Sequence, residues 1–142
     1  MRYLLDTNIL SEPARKAPDP GVMSRLQTDM ALCATAAPVI HELRFGIDRL
    51  APGRRRDRLD SYLKTLLETG LEVLPYDLAA AQIHSQAHAR ARAELAARGI
   101  TLPNVDGQIA AIAALHGRVL VTRNVEDFEA FPGLRIENWF GA

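Results

Sequence analysis

The sequence is poor in cysteine, and neither sign of charge dominates it. Its single cysteine, Cys33, cannot form an internal disulfide, which fits a reducing cytosol, and we predict that it is part of the core. No apolar run approaches the length that spans a membrane, and the N-terminus lacks a signal-peptide pattern. Lys plus Arg and Asp plus Glu both number 17, so any contact with nucleic acid has to come from a local basic patch. We therefore expect a cytoplasmic protein with no membrane segment.

The chain also lacks two common site motifs. It has no glycine-rich loop of the kind that cradles a phosphate. His84 and His88 are four residues apart, as zinc ligands on one helix are, but residues 85–87 contain no glutamate, so the metalloprotease motif is incomplete. We predict that both histidines are solvated on the surface.

What is present is typical of a globular α/β domain. The 142 residues, 48% apolar and 24% charged, predict one domain (1–142) with a sizeable core. Apolar runs alternate with amphipathic segments, which predicts a three-layer sandwich: a mostly parallel five-stranded sheet with helices on both faces. The first predicted strand ends near Leu5, and the other four cover Leu32 to Thr35, Leu71 to Tyr76, Val119 to Thr122 and Leu134 to Glu137. The first predicted helix follows Asp19, the second starts at Pro38 and the third spans Arg54 to Thr69. A long fourth helix runs from Asp77 to about Arg98, with Gly99 as its stop, and a fifth spans Val105 to His116. A short helical turn is predicted from Glu126 to Phe131.

The first strand leads directly into polar residues. Tyr3-Leu4-Leu5 is typical of a strand buried on both faces, and Asp6-Thr7-Asn8 follows it at once. In open parallel sheets, ligands bind just outside the carboxyl ends of the strands. The carboxylate of Asp6 is therefore expected at that edge of the sheet, where it faces solvent or a ligand.

Other acids and amides lie beside predicted strand ends or helix starts. Glu42 falls in the second turn of the helix after strand two, and Asp106 falls in the first turn of the helix before strand four. Asn124 and Asp127 follow strand four. If strands one and four are neighbours, these groups converge with Asp6. Clustered carboxylates repel one another and lose solvation, so they need a cation, and oxygen ligands without His or Cys favour Mg²⁺ or Mn²⁺ over Zn²⁺. Such a centre is typical of enzymes that cleave phosphodiesters.

Taken together, these pieces resemble the PIN-domain ribonucleases, in particular the VapC-type toxins of bacterial toxin–antitoxin pairs and, among those, the FitB-like branch. The resemblance covers essentially the whole chain in the right order, and it rests on several pieces in register rather than on any one of them. The matching pieces are Leu4 to Glu12, His41 to Gly46, Val105 to Ala113, Val121 to Asn124, and Asn138-Trp139.

The resemblance implies roles for particular residues. Asp6, Glu42 and Asp106 match the three acids that bind Mg²⁺, with Mn²⁺ as the alternative ion, and that support the attacking water. Asn124 matches the fourth catalytic position of the family, which is often an aspartate. An amide still offers a carbonyl oxygen, but the site loses one negative charge, which is compatible with one metal ion and argues against a tightly held second one; the sequence leaves the number of ions, one or two, open. Three further residues are expected to orient water or the acids, or to meet a phosphate: Thr7, Thr122 and Arg123.

The resemblance also implies an activity and partners. It implies an endoribonuclease that acts as the toxin of a type II toxin–antitoxin pair and leaves a 5′-phosphate on the cleaved RNA. It implies a homodimer and a cognate antitoxin of the VapB or FitA type, whose tail blocks the site. The inhibited complex would bind promoter DNA through the antitoxin.

Structural interpretations of the same residues remain open. Asp6 can cap a turn, and Asp106 is a favourable residue at a helix N-terminus. Asn124 with Asp127 resembles a helix cap, and we expect capping to be the role of Asp127. A run of arginines either contacts RNA phosphates or forms a solvated helix start: Arg54, Arg55, Arg56 and Arg58.

Two other functions are consistent with the same pattern. One is a non-catalytic PIN module that binds an antitoxin and tunes promoter binding, which the amide at Asn124 motivates. The other is a metal-dependent phosphatase on a similar scaffold. The absence of a second aspartate in Asp6-Thr7-Asn8 weighs against the phosphatase.

Overall fold

The computed structural model of the chain describes residues 1–98 and 104–141, and in it five short strands form one sheet that helices cover. The strands are β1 (Tyr3–Leu5), β2 (Cys33–Ala36), β3 (Glu72–Leu74), β4 (Val119–Val121) and β5 (Ile136–Glu137). The α-helices are α1 (Thr7–Leu10), α2 (Pro20–Asp29), α3 (Ala37–Asp48), α4 (Arg54–Glu68), α5 (Leu78–Ala97), α6 (Asn104–Leu115) and α7 (Val125–Phe128), with 3₁₀ turns at Glu12–Ala14 and Met30–Leu32.

The sheet is parallel throughout, in the order β3-β2-β1-β4-β5, which confirms the predicted α/β fold class. The central strand β1 is fully buried, as its apolar sequence predicts. Connections between parallel strands are right-handed. Successive strands from β1 to β3 are added toward one side of the sheet, and those from β3 to β5 are added toward the opposite side. The rule therefore places α1 to α4 on one face of the sheet and α5 to α7 on the other.

The parallel strands β1 and β4 lie side by side, with Leu5 opposite Val121. The order in which strands are added to the sheet reverses between them. The connection that leaves β1 turns toward β2, and the one that leaves β4 turns toward β5. A crevice opens at such a switch point, at the carboxyl ends of the strands, and it is where open α/β sheets bind their ligands. Asp6 and Thr122 each follow directly after one of these two strands.

The observed elements lie close to the predicted ones, and the main differences are at the edges of the sheet. The strand predicted over Leu71 to Tyr76 forms only at Glu72–Leu74, because this edge strand has a partner on one side only, where it pairs with three residues of β2. For the same reason β5 is reduced to two residues. The predicted helix stop at Gly99 and the loop after it lie outside the described residues.

The core lies on both faces of the central strands, where the largest fully buried side chains include Leu4, Leu120 and Trp139. Cys33 is buried, as predicted. Among the residues that the structure describes, no helix is both long enough and apolar enough to cross a membrane.

His84 corrects one sequence-based prediction. Its side chain is only 6% exposed, so the prediction of a solvated ring is wrong for this residue, whereas His88 is exposed as predicted. The ring of His84 packs between α5 and α6, where its Nδ1 lies 2.8 Å from the hydroxyl of Tyr76. On its other side the ring lies against Gly107, where an added Cβ would come within 2.3 Å of Nε2. The ring can be buried because residue 107 has no side chain.

Candidate active site

Asp6 lies at the switch point of the sheet, and both of its carboxylate oxygens accept hydrogen bonds. Its backbone N–H donates to the carbonyl of Val121, which extends the pairing of β1 with β4 by one step. Oδ1 accepts from the backbone N–H of Thr7 at 2.8 Å, and Oδ2 accepts from the hydroxyl of Thr122 at 2.8 Å. Asp6 therefore does cap α1, and the same carboxylate, 6% exposed, is fixed at the carboxyl edge.

Thr7 and Asn8 connect Asp6 to the neighbouring elements. The hydroxyl of Thr7 donates to Oε2 of Glu42 at 2.9 Å, which links β1 to α3. The side chain of Asn8 donates to the hydroxyl of Thr122 at 3.3 Å and accepts from the backbone N–H of Arg123 at 3.0 Å. Thr7 and Thr122 thus each donate a hydrogen bond to one of the predicted acids, which fits one of the roles that the family resemblance implies for them, orientation of the acids.

The acids at this edge act on one another electrostatically. The pKa of Asp106 is raised to about 6, mainly by burial and then by the charges of Asp6, Asp127 and Glu42, in that order. Burial also raises the pKa of Asp6 and that of Glu42, although the hydrogen bonds described above oppose the shift. The structure therefore brings the three predicted acids within mutual electrostatic range.

Asp127 is a fourth acid of this cluster: the sequence predicts that it converges with Asp6, but its predicted role was a helix cap rather than a site residue. We expected it to cap a helix, but its carboxylate accepts no capping hydrogen bond from any described residue. Its charge instead raises the pKa of both Asp6 and Asp106. The available signal was its place one turn into α7, which starts at the same edge of the sheet. Local spacing alone does not distinguish a cap from a site residue.

Asn124 and Arg123 lie at the same edge but have less contact with the acids. The backbone N–H of Asn124 donates to the hydroxyl of Thr122 at 3.1 Å, which places it one hydrogen bond from the residue that holds Asp6. Its exposed amide side chain makes no hydrogen bond with the described residues. The guanidinium of Arg123 lies 4.7 Å from the centre of the Phe140 ring, so it is positioned near the edge without an ion pair to the cluster.

The donor set of this edge suits a hard divalent cation. The acids offer carboxylate oxygens as ligands. Among the described residues, only His41 has a charge that opposes one of the three raised pKa values, that of the neighbouring Glu42. As they stand, no three Asp, Glu, His or Cys side chains within residues 1–98 and 104–141 are close enough to hold one ion. Mg²⁺ keeps several waters and is usually bound through one or two carboxylates, so it does not require three direct ligands.

The raised pKa of Asp106 predicts how stability depends on pH in the absence of divalent cations. Between pH 4 and 6 the folded protein binds more protons at Asp106 than the unfolded chain, whose carboxyl titrates near 3.8, so the free energy of unfolding falls as the pH rises. Asp106→Asn removes this loss. After a discount for its partial exposure, we expect the variant to be more stable than wild type at pH 7 by about 1 kcal/mol and equally stable at pH 4.

Thermal unfolding of both proteins in a chelating buffer at several pH values measures this difference. Added Mg²⁺ is expected to reduce it, because a bound cation offsets the repulsion that the substitution removes. A stability difference that stays constant from pH 4 to pH 7 would contradict the electrostatic account of Asp106.

These features define a parallel α/β domain with an acidic site at the switch point of its sheet. The chain belongs to the PIN-domain family, whose family model, described as "PIN domain", matches residues 3–134. The family predicted from the sequence is therefore confirmed.

Relatives and solved structures place the chain near particular members of that family. It is similar to the tRNA(fMet)-specific endonuclease VapC of Salmonella typhimurium, with 33% identity over 140 residues that cover 98% of each protein. Its structure is similar to that of FitAcB from Neisseria gonorrhoeae, with a TM-score of 0.84 and 29% identity over 96% of each chain. It is also similar to DNA-bound VapBC from Salmonella typhimurium, with a TM-score of 0.78 and 30% identity over 98% of each chain.

Proposed function

We propose that this chain is a metal-dependent endoribonuclease that acts as the toxin of a type II toxin–antitoxin pair. The observation that carries the proposal is the cluster of Asp6, Glu42, Asp106 and Asp127 at the switch point, where burial and mutual repulsion raise the pKa of three acids. A fold tolerates such a cluster when a cation offsets the repulsion. Similarity to a protein named as a tRNA-specific endonuclease supports RNA as the substrate class.

Each site residue has a role in this proposal. Asp6, Glu42 and Asp106 would hold Mg²⁺ or Mn²⁺, in part through the waters that such an ion keeps, and the chemistry supplied there would be activation of water and stabilisation of charge on the phosphate. Thr7 keeps the carboxylate of Glu42 turned toward Asp6, since its hydroxyl donates to Oε2. Asn124 serves as the fourth catalytic position, where its amide contributes an uncharged oxygen. Asp127 supplies negative charge at that side of the site in place of the missing aspartate.

We further propose that the chain forms a homodimer and binds a cognate antitoxin of the VapB or FitA type, through which the complex binds promoter DNA. Similarity to the solved structures of FitAcB and of DNA-bound VapBC supports the antitoxin partner and the promoter DNA, whereas the homodimer rests on the family resemblance. An apolar groove of about 230 Å³, bordered by Thr7 and Glu42, lies beside the acids. Its apolar lining would let an antitoxin tail bury side chains there and cover the site. Four leucine and isoleucine side chains line it: Leu43, Ile47, Leu59 and Leu63.

The purified chain, incubated with cellular RNA, tests the activity. We expect discrete new 5′-phosphate ends with Mg²⁺ and none with a chelator, because the acids without a cation repel the RNA phosphates. Sequencing of the 5′ ends measures this and names the target.

The other outcomes of the same experiment separate the alternatives. Intact RNA in every condition, together with tight antitoxin binding, would replace the nuclease with a non-catalytic binding module. Intact RNA together with release of inorganic phosphate from small phosphomonoesters would indicate a phosphatase.

A further inference from the structure

A second groove, of about 640 Å³, lies between α4 and the segment that follows α1. We call it the basic groove, because four cationic side chains line it. Arg15 and Lys16 come from the segment after α1, and Arg55 and Arg58 come from the first two turns of α4. Two parts of the chain that are distant in sequence thus present positive charge to the same space.

Most of this charge has no partner within the described part of the chain. Lys16, Arg55 and Arg58 are exposed and form no ion pair with any described residue. Arg15 is 62% exposed, and its guanidinium lies 3.3 Å from Oε1 of Glu12. Glu12 is itself buried, and its other oxygen accepts from the backbone N–H of Asp19 at 2.7 Å, so this pair fixes one wall of the groove. Unpaired cations on facing walls suit a ligand that carries several negative charges.

The basic groove is continuous with the acidic site. Ser11, Ala14 and Leu59 line both the basic groove and the apolar groove that Thr7 and Glu42 border. One path therefore leads from Glu42, the acid that borders the apolar groove, across a short apolar stretch to the four cations. A strand whose cleaved phosphate sits at the acids can pass along this path.

We propose that the basic groove binds the phosphates of the RNA strand that flanks the cleaved bond. This inference rests on the proposed function, because it takes RNA to be the substrate of the acids. The acidic cluster repels a polyanion, so the part of the strand outside the site needs cations to hold it. RNA is favoured over an acidic protein segment because phosphates repeat along the whole strand and can meet all four cations in turn.

The geometry also separates the arginines that the sequence left undivided. Arg55 and Arg58 line the basic groove, whereas Arg54 and Arg56 do not. Arg56 instead donates to the backbone carbonyl of Leu50 at 3.4 Å. Within this arginine run, RNA contact is therefore assigned to Arg55 and Arg58.

Equilibrium binding of a single-stranded RNA, followed by fluorescence anisotropy at several salt concentrations, tests the proposal. Every protein carries Asp106→Asn, so that no cleavage interferes. The test variant adds Arg55→Ala and Arg58→Ala, and Lys16→Ala probes the facing wall independently. The matched control adds Arg2→Ala and Arg135→Ala, two exposed arginines that precede β1 and β5 at the opposite edge of the sheet.

We expect the Arg55/Arg58 variant to bind RNA about 25-fold more weakly near 0.1 M salt and to lower the slope of log affinity against log salt by about 1.4, since each lost contact to a single strand removes about 0.7. Lys16→Ala should lower the slope by about half as much, and the Arg2/Arg135 control should leave it unchanged. Equal losses in the test and control pairs, or no loss in either, would overturn the proposal. So would unchanged RNA binding together with weaker binding of the antitoxin, which would assign the groove to a protein partner.

This measurement is independent of the proposed nuclease activity. If the wild-type chain cleaves no RNA, the proposed function fails while the binding data still decide the basic groove. If the chain cleaves RNA but the Arg55/Arg58 pair has no effect on affinity or salt slope, the inference fails and the proposed function stands.

Discussion

Asp6→Asn is expected to lower RNA cleavage by about a thousandfold, because removal of a ligand carboxylate removes several kcal/mol of metal-dependent transition-state stabilisation. The substitution keeps an oxygen that can accept from the backbone N–H of Thr7, so the cap of α1 survives while the charge is lost. Single-turnover cleavage of the mapped RNA measures the effect. Induced expression without antitoxin should arrest growth for wild type and not for the variant.

Glu68→Gln provides the control for this prediction. Glu68 is an exposed carboxylate at the end of α4, shortly before β3 and therefore at the opposite edge of the sheet. The Glu68→Gln variant should cleave RNA as wild type does. If Asp6→Asn retained cleavage and growth arrest while folding normally, the carboxylate at the switch point would not be part of the catalytic site.

Gly107→Ala is expected to destabilise the protein by about 2 to 3 kcal/mol, because overpacking of a well-packed interior costs an amount of this order. The new Cβ would come within 2.3 Å of Nε2 of His84, whose buried ring is held by its hydrogen bond to Tyr76. For a chain of this size the midpoint of thermal unfolding should fall by roughly 5 to 10 °C. Helix α6 has to shift to admit the new methyl group. Because Asp106 precedes residue 107 on this helix, the shift should also weaken cleavage.

A double-mutant cycle and a second glycine test this explanation. His84→Ala combined with Gly107→Ala should cost less than the sum of the two single changes, since the methyl group then fills space that the ring vacated. Gly46→Ala on α3 should instead stabilise the protein by about 0.5 to 1 kcal/mol, because nothing lies within 4 Å of its added Cβ and alanine is the better helix former. Additive costs at positions 84 and 107 would contradict the packing account.

The sequence by itself determined the fold class and the local elements. The apolar run of β1 and the polar residues after it are short-range signals. The pair Asp19-Pro20 is another, since the side chain of Asp19 accepts from the backbone N–H of Val22 as a helix cap does. Such patterns depend on the backbone geometry of a few neighbouring residues, and so they can be recognised locally. The choice of Asp6, Glu42, Asp106 and Asn124 as site residues came from such signals and from the family pattern.

Only the tertiary structure decided which residues meet. The sheet order brings Thr122 to Asp6 and Thr7 to Glu42, in pairs separated by 116 and 35 residues. Packing of α5 against α6 buried His84, although its sequence neighbours suggest a surface position. The electrostatic role of Asp127 and the two walls of the basic groove arise in the same way. These features depend on contacts between distant segments, which only the packing of the sheet and its helices determines.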